Sequence, residues 1–436
     1  MAGALFGGED LGQVEEVNFE ECSVVCEHCG ARYWKAELTR ARNDVGLKCC
    51  TYGKFTLPQN GQFRRPPNEI VQLFTGQDER ATQFQKNILK YNKLFATAFI
   101  SGDFQNVGDR QHGLWSLKIN GEVRWHNHAY CDPGDETRPP NHGQLYFLDY
   151  SNDNEEEITQ QRLAGLQYND GLDAQVMAQL ERYLRENNPF IQAFKTAREV
   201  QEQEQNAARA EGRLMRDVVL VINPKARGTR VTRVGDGYVD RLLRGNEVAI
   251  TPVADGIGAV FAGRLPPMRY DAQYFPRQQR EDERPPGAPQ VSTRTLDIQM
   301  FPLIHLHGEA SHIDFTDGRD KTPSLAEYYR YRLGIRDVDF DILRMGKKLF
   351  AMYLLNGALR VLYEWLSFRA THQQTLKAEQ YHALRRFVEQ QAHLQGRRFG
   401  GIVILPRGIY GSQRHMKELF YDALAVSQKL GHPSAL

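Results

Sequence analysis

Four cysteines packed into one short polar stretch constrain this chain more than any other feature. Cys26 and Cys29 form a Cys-x-x-Cys pair, and Cys49-Cys50 follows after nineteen intervening residues. Cys22 lies just upstream, and Cys131 stands apart. The first sixty residues are rich in turn formers and carry too few large apolar side chains to bury a core unaided. Such a segment folds when a metal replaces the missing core, because a tetrahedral zinc site supplies folding free energy directly. Clustered cysteines read as metal ligands or reactive thiols before disulfides. The expectation is therefore a structural zinc held by Cys26, Cys29, Cys49 and Cys50. The fourth ligand stays open among Cys50, Cys22 and His28, because neighbouring side chains of an extended strand point to opposite faces.

The whole chain of 436 residues, with 41% hydrophobic residues, is long enough for two or three packed domains. No run near twenty apolar residues is present, so no membrane partner is expected. The start, MAGALFGGEDLGQVEE, lacks a basic region ahead of an apolar stretch, which points away from a secretory leader and towards a nuclear or otherwise intracellular protein. Net charge is only +1, yet residues 321–436 hold 18 Lys plus Arg against 9 Asp plus Glu. A basic end on a neutral chain suits a polyanionic partner.

Patterning predicts an α+β, multidomain chain. It divides into a Cys-rich zinc knuckle (1–60), a strand-rich α+β region (61–157), a helical segment or linker (158–216), a β-rich region (217–300) and a mainly helical C-terminal part (301–436). FQKNILKYNKLFATAF (84–99) and LDAQVMAQLERYL (172–184) have helical period. Asn120-Gly121 between alternating residues predicts a hairpin turn, and QLYFLDY (144–150) a strand. TAREVQEQEQNAARAEGRLM (196–215) is polar nearly all round and reads as a solvated helix or linker. DVVLVIN, EVAITPV and TLDIQM read as strands, with the Pro/Arg-rich FPRQQREDERPPGAP as a mobile insert. Beyond 322 the reading is helical, with one strand at GGIVILP (400–406).

The knuckle spacing, continued by ARYWKAE (31–37) and KCCTYGKFTLP (48–58), resembles the start of Helitron helicase-like proteins. Further segments follow in the same order: the helix at 84–99, GLWSLKINGEVRW (113–125), GQLYFLDY (143–150), residues 172–194, and MFPLIHLHGE (300–309). The nearest likeness is at LAEYYRYRLGIR (325–336), residues 346–381 and residues 400–436. The resemblance implies a rolling-circle initiator joined to a Pif1-type helicase, which nicks and transfers single-stranded DNA with a histidine pair, a divalent metal and tyrosines. It also implies that this sequence, which ends three residues after Pro433, stops ahead of the histidine pair, the catalytic tyrosines and every helicase motif. No catalytic residue is then expected, and the C-terminal part would be an incomplete initiator-nuclease domain.

Several local patterns compete with that reading. His305-Leu306-His307, followed by Tyr328, Tyr329 and Tyr331, imitates a nuclease motif, but is read as a polar loop ahead of a packed aromatic helix. No Walker loop is present, so no ATP site is expected. Gly256, Gly258 and Gly263 miss the dinucleotide-binding spacing, and His126, His128, Cys131 and His142 read as surface or turn residues. Arg407, Tyr410, Arg414 and Lys417 flank a strand-to-helix junction where guanidinium groups and free amides can hold phosphates and a ring can stack on a base. Arg397 and Arg398 add to the same basic surface. The expected partner is DNA, single-stranded by preference. The alternative is a captured or degenerate element fragment serving as a protein-interaction module.

Overall fold

The computed structural model describes residues 21–35, 49–55, 64–107, 116–127, 142–150, 153–165, 171–222, 249–253, 258–263, 272–274, 295–308, 323–337, 339–372, 386, 390 and 412–430. The chain forms two compact units. The larger comprises Glu21–Asp103 and Ile119–Gly357, and the smaller comprises Met1–Glu20, Phe104–Lys118 and Ala358–Leu436. The architecture mixes helices and strands, with the cysteine cluster at the N-terminal side of the larger unit.

In the larger unit a short antiparallel pair, β1 (Val24–Val25) and β2 (Arg32–Tyr33), carries the knuckle. Two helices follow, α1 (Asn68–Thr75) and α2 (Glu79–Phe95). Asp78 caps α2 by accepting from the Ala81 amide, satisfying one of the orphan donors of its first turn. Ala81, Phe84, Ile88, Tyr91 and Phe95 recur at three- and four-residue spacing and are all buried, so the predicted period gives the observed helix. Next come β3 (Ala98–Val107) and β4 (Ser116–Asn127), paired in a two-stranded sheet. Asn120-Gly121 does not turn: β4 runs straight through it. An Asn-Gly pair permits a tight turn without forcing one, and the ten-residue β3 offers a longer ladder than a hairpin arm of about five residues.

QLYFLDY is not a strand either. His142–Phe147 forms a 3-10 turn in which Leu145, Tyr146 and Phe147 are all buried, which an alternating strand with one wet face cannot achieve. Arg185 fixes the turn by donating to the carbonyls of Leu145 (2.6 Å) and Leu148 (3.2 Å). His142, read as a surface or turn residue, does open this turn, but it is buried with Nδ1 3.0 Å from the Lys93 carbonyl oxygen.

Helices α3 (Glu155–Ala164), α4 (Ala174–Asn187) and α5 (Pro189–Glu211) complete the helical layer. Asn188 caps α5 ahead of Pro189 at the first helical position, and Gly212 closes it in the left-handed conformation. The polar stretch expected to have little to pack does have a face. Ala197, Val200, Glu204 and Ala208 are buried, and α5 lies against β5 (Val218–Ile222) and β7 (Gly258–Ala262). Small side chains let helix and sheet approach, and buried Glu204 is held by Arg213 and Arg216. With β6 (Ala249–Pro252) and β8 (Ala272–Tyr274), these strands make an antiparallel sheet of order β6-β7-β5-β8. DVVLVIN and EVAITPV are thus strands as predicted.

TLDIQM is instead a short helix, α6 (Leu296–Met300). Its alternation is broken by burial of both polar residues: the Tyr274 hydroxyl donates to Gln299 (2.8 Å), and the Tyr329 hydroxyl donates to Asp297 (2.9 Å). The turns after it are apolar and buried from Phe301 to Leu306, so this is a core segment rather than a polar loop. Then follow α7 (Leu325–Leu333), opened by a Ser324/Glu327 capping box, α8 (Ile342–Met345) and α9 (Lys348–Thr371).

Aromatic groups mark the core, one of them Phe301, Tyr328, Tyr329 and Tyr353. Phe194 meets Tyr146, Phe147, Phe190 and Tyr274 with ring centroids 4.9–5.7 Å apart. Phe74 meets Phe84 edge-on and Phe84 meets Tyr91 at a tilt along α1 and α2. Beside the Phe194 group Arg162 is wholly buried between the Phe95 and Tyr146 rings, paired with buried Glu181. The smaller unit contains α10 (Gln413–Leu430), along which Met416, Phe420, Tyr421 and Val426 are more than half exposed. Among the described residues, no helix is long and apolar enough to cross a membrane.

Candidate metal centre

The knuckle is built by two turns that face each other. After β1 the chain reverses within four residues: the Gly30 amide donates to the Cys26 carbonyl (2.9 Å) and the Cys26 amide to the Ala31 carbonyl (2.8 Å). Gly30 sits at φ +68°, a conformation that favours glycine. The second turn carries Cys49 and Cys50 and continues through three successive left-handed residues, Thr51, Tyr52 and Gly53 (φ 51°, 60° and 73°). Because the pair lies in a turn and not in an extended strand, the opposed side-chain directions that left the fourth ligand open do not arise, and both thiols face the same point.

The sulfurs converge closely. Cys26 and Cys50 are 3.9 Å apart, Cys29 and Cys49 3.3 Å, Cys49 and Cys50 3.8 Å, and all four lie within 4.8 Å of one another. Zinc–thiolate bonds of roughly 2.3 Å in a tetrahedron require sulfur–sulfur edges of about 3.8 Å. The four cysteines could therefore hold a metal ion with little adjustment. Cys26, Cys49 and Cys50 are almost completely buried, and Cys29 is half-buried, so the donor set is closed and offers no open position for a reacting water. Cys22 and His28 stand outside the group of four. His28 is exposed, and its ring lies against Gly53, where an added Cβ would fall 2.9 Å from Nδ1.

The electrostatics favour a cation. The side-chain hydrogen bond with Cys49 holds Cys29 down at about 4, assisted by the Ala31 backbone and the Arg336 guanidinium. Cys49 is correspondingly pushed well above an ordinary thiol by that bond and by burial. Burial raises Cys50 to about 11, even though the Gly53 amide donates to its sulfur at 3.2 Å. The raised thiols of Cys49 and Cys50 give up their protons most readily to a metal, whose charge replaces them.

The knuckle is docked on the turn after α7. The Arg32 amide donates to the Ile335 carbonyl (2.7 Å) as part of an antiparallel bridge. Arg336 Nε donates to the Cys29 carbonyl at 3.0 Å, and its Nη2 lies 3.5 Å from the Cys29 sulfur. Sequence reading passed over Arg336. It stands 307 positions from its cysteine, and no local pattern marks it.

The remaining site candidates fall elsewhere. Arg397, Arg398, Arg407 and Tyr410 lie outside the described residues, as do His128, Cys131, Gly256 and the GGIVILP segment. Arg414 and Lys417 both fall on α10, where Lys417 is exposed. The nuclease-like pattern does not assemble. His305 is wholly buried beside Tyr353, His307 meets the Tyr183 hydroxyl at 2.6 Å, and Tyr328, Tyr329 and Tyr331 are buried. Among the described residues, the four cysteines are the one group placed to hold a metal.

No curated protein matches this chain. Residues 328–435, which include most of α7, the Gly334–Arg336 turn, α9 and α10, match the family model of the Helitron helicase-like domain at N-terminus. The match takes in the knuckle's docking site but not the knuckle. Residues 328–435 therefore carry a Helitron helicase-like domain, and the likeness is confined to that stretch.

Proposed function

We propose that this chain is a DNA-binding part of a Helitron-like rolling-circle transposition system, acting on single-stranded DNA in the nucleus or elsewhere inside the cell. The observation that carries this reading is the Helitron helicase-like match over residues 328–435. The basic balance of residues 321–436 supports it, because phosphate binding needs an excess of cations on one surface. Arg397, Arg398, Arg407, Arg414 and Lys417 are the proposed phosphate contacts, and Tyr410 the proposed stacking residue. The metal is proposed to be zinc. Cys26, Cys29, Cys49 and Cys50 would hold it in a closed, structural site that stiffens the N-terminal knuckle.

The test is binding of the full chain to labelled single- and double-stranded DNA at two salt concentrations, with zinc determined on the same sample. The expected result is tighter binding to single strands, falling steeply with salt, and about one zinc per chain. Binding that is absent, or indifferent to salt, would overturn the DNA reading.

One observation favours a second reading, a protein-interaction module. Met416, Phe420, Tyr421 and Val426 stand exposed along α10. An apolar partner surface would give salt-insensitive association, the opposite signature.

A further inference from the structure

Arg336 uses its guanidinium in two directions at once. One edge closes the end of α7, with Nη1 donating to the carbonyls of Tyr331 (2.8 Å) and Gly334 (3.1 Å). The other edge reaches the knuckle, with Nε on the Cys29 carbonyl and Nη2 on the Cys29 sulfur. The cation lies over the Tyr331 ring, 3.9 Å from its centroid, a contact that helps hold the guanidinium in place. Around it the surfaces are close. Ala31 is fully buried, and a Cβ added at Gly334 would come within 3.1 Å of the Ala31 Cβ.

Four thiolates around a divalent ion leave a net charge of about −2. Partly buried charge of that size needs compensation nearby, and partners outside the ligand shell both orient ligands and tune the metal. Arg336 is placed to do this through the least buried of the four cysteines. A lysine could supply the charge, but not the planar fork that joins the sulfur to the helix end.

We propose that Arg336 is the outer partner of the metal centre, and that the metal through it sets the conformation of the Gly334–Arg336 turn and the end of α7. The metal centre thereby works as a clasp between the N-terminal knuckle and the Helitron-like domain. The proposal rests on the tetracysteine site being a metal site. The competing description is that Arg336 merely caps α7, in the manner of Arg344, whose Nη2 donates to the Leu333 carbonyl at 2.7 Å.

The experiment compares the full chain with its Arg336→Met, Arg336→Lys and Arg344→Met variants. Zinc affinity is measured by competition with a chromophoric chelator, and amide exchange over residues 325–333 with and without zinc. Arg336→Met is expected to weaken zinc binding 10- to 100-fold. Arg336→Lys should fall between it and the parent, and Arg344→Met should match the parent. Removing zinc from the parent should speed exchange over 325–333, and in Arg336→Met that increment should vanish. Unchanged zinc affinity in Arg336→Met, or an equal loss in Arg344→Met, would reduce Arg336 to a helix cap and overturn the proposal. If Arg336→Met does not fold, parent-like affinity in Arg336→Lys overturns it. A parent chain that takes up no zinc fails the metal reading itself, a separate result.

Discussion

His142 shows how a single residue can be misjudged from its neighbours. In sequence it sits among Asn, Gly and Pro and looks like a turn residue, which it is, but it is buried with its ring against the Lys93 carbonyl rather than in water. Burial, together with the cations Arg162 and Lys93, pushes its pKa down to about 4 from 6.5. The folded chain keeps it neutral, while the unfolded chain protonates it near 6.5. Between those values the unfolded state binds more protons, so stability is full above about pH 6.5 and is lost as pH falls towards 4. The loss is on the order of 3 kcal/mol. Denaturant unfolding at pH 7 and pH 5 should show this decline, and His142→Gln should flatten it; an unchanged slope would remove His142 as its source. The cysteine spacing, by contrast, was legible, because Cys-x-x-Cys states its own geometry. What sequence could not supply was the fourth ligand. That depends on the left-handed run Thr51–Gly53, and only glycine among those three residues advertises such a conformation.

Elements with one apolar stripe were readable, whereas of those buried all round the β-branched run of β5 was readable and the mixed run of α6 was not. α2 and α4 announce themselves by period and by Asp78 and Asp173 at their starts. TLDIQM and QLYFLDY misled because alternation and short apolar runs assume a wet face, whereas Leu296–Met300 and residues 144–147 are buried throughout. The polar run of α5 misled for the converse reason, since Ala carries little hydrophobic signal yet packs closely on a sheet. The junction of α4 and α5 gives this scale its prediction. The Asn188 side chain accepts from the Phe190 and Ile191 amides and donates to the His305 carbonyl at 2.9 Å, all without solvent. Asn188→Ala removes a cap and strands a buried carbonyl, so it should cost about 2–4 kcal/mol in equilibrium unfolding. A cost below about 0.5 kcal/mol would mean that the cap is dispensable.

Two compact units should not melt as one. Thermal or denaturant unfolding of the full chain is expected to show two transitions, and chelation of zinc should lower only the one belonging to the larger unit, which holds the knuckle. A single transition, or an equal shift of both, would contradict the division. Sequence reading reached the mixed helix-and-strand class. It could not see that residues near 30 and near 335 share a surface, because pairings across such a separation leave no periodic trace. That separation matters during synthesis. At roughly 5–20 residues per second, the 307 positions between Cys29 and Arg336 take about 15–60 s to translate. The thiols of the nascent chain therefore emerge long before the arginine and the helix end that cover them. A metal ion captured in that interval would give α7 a finished surface to fold onto, whereas a chain made without metal would reach α7 with its first turn-rich segment still waiting for an ion.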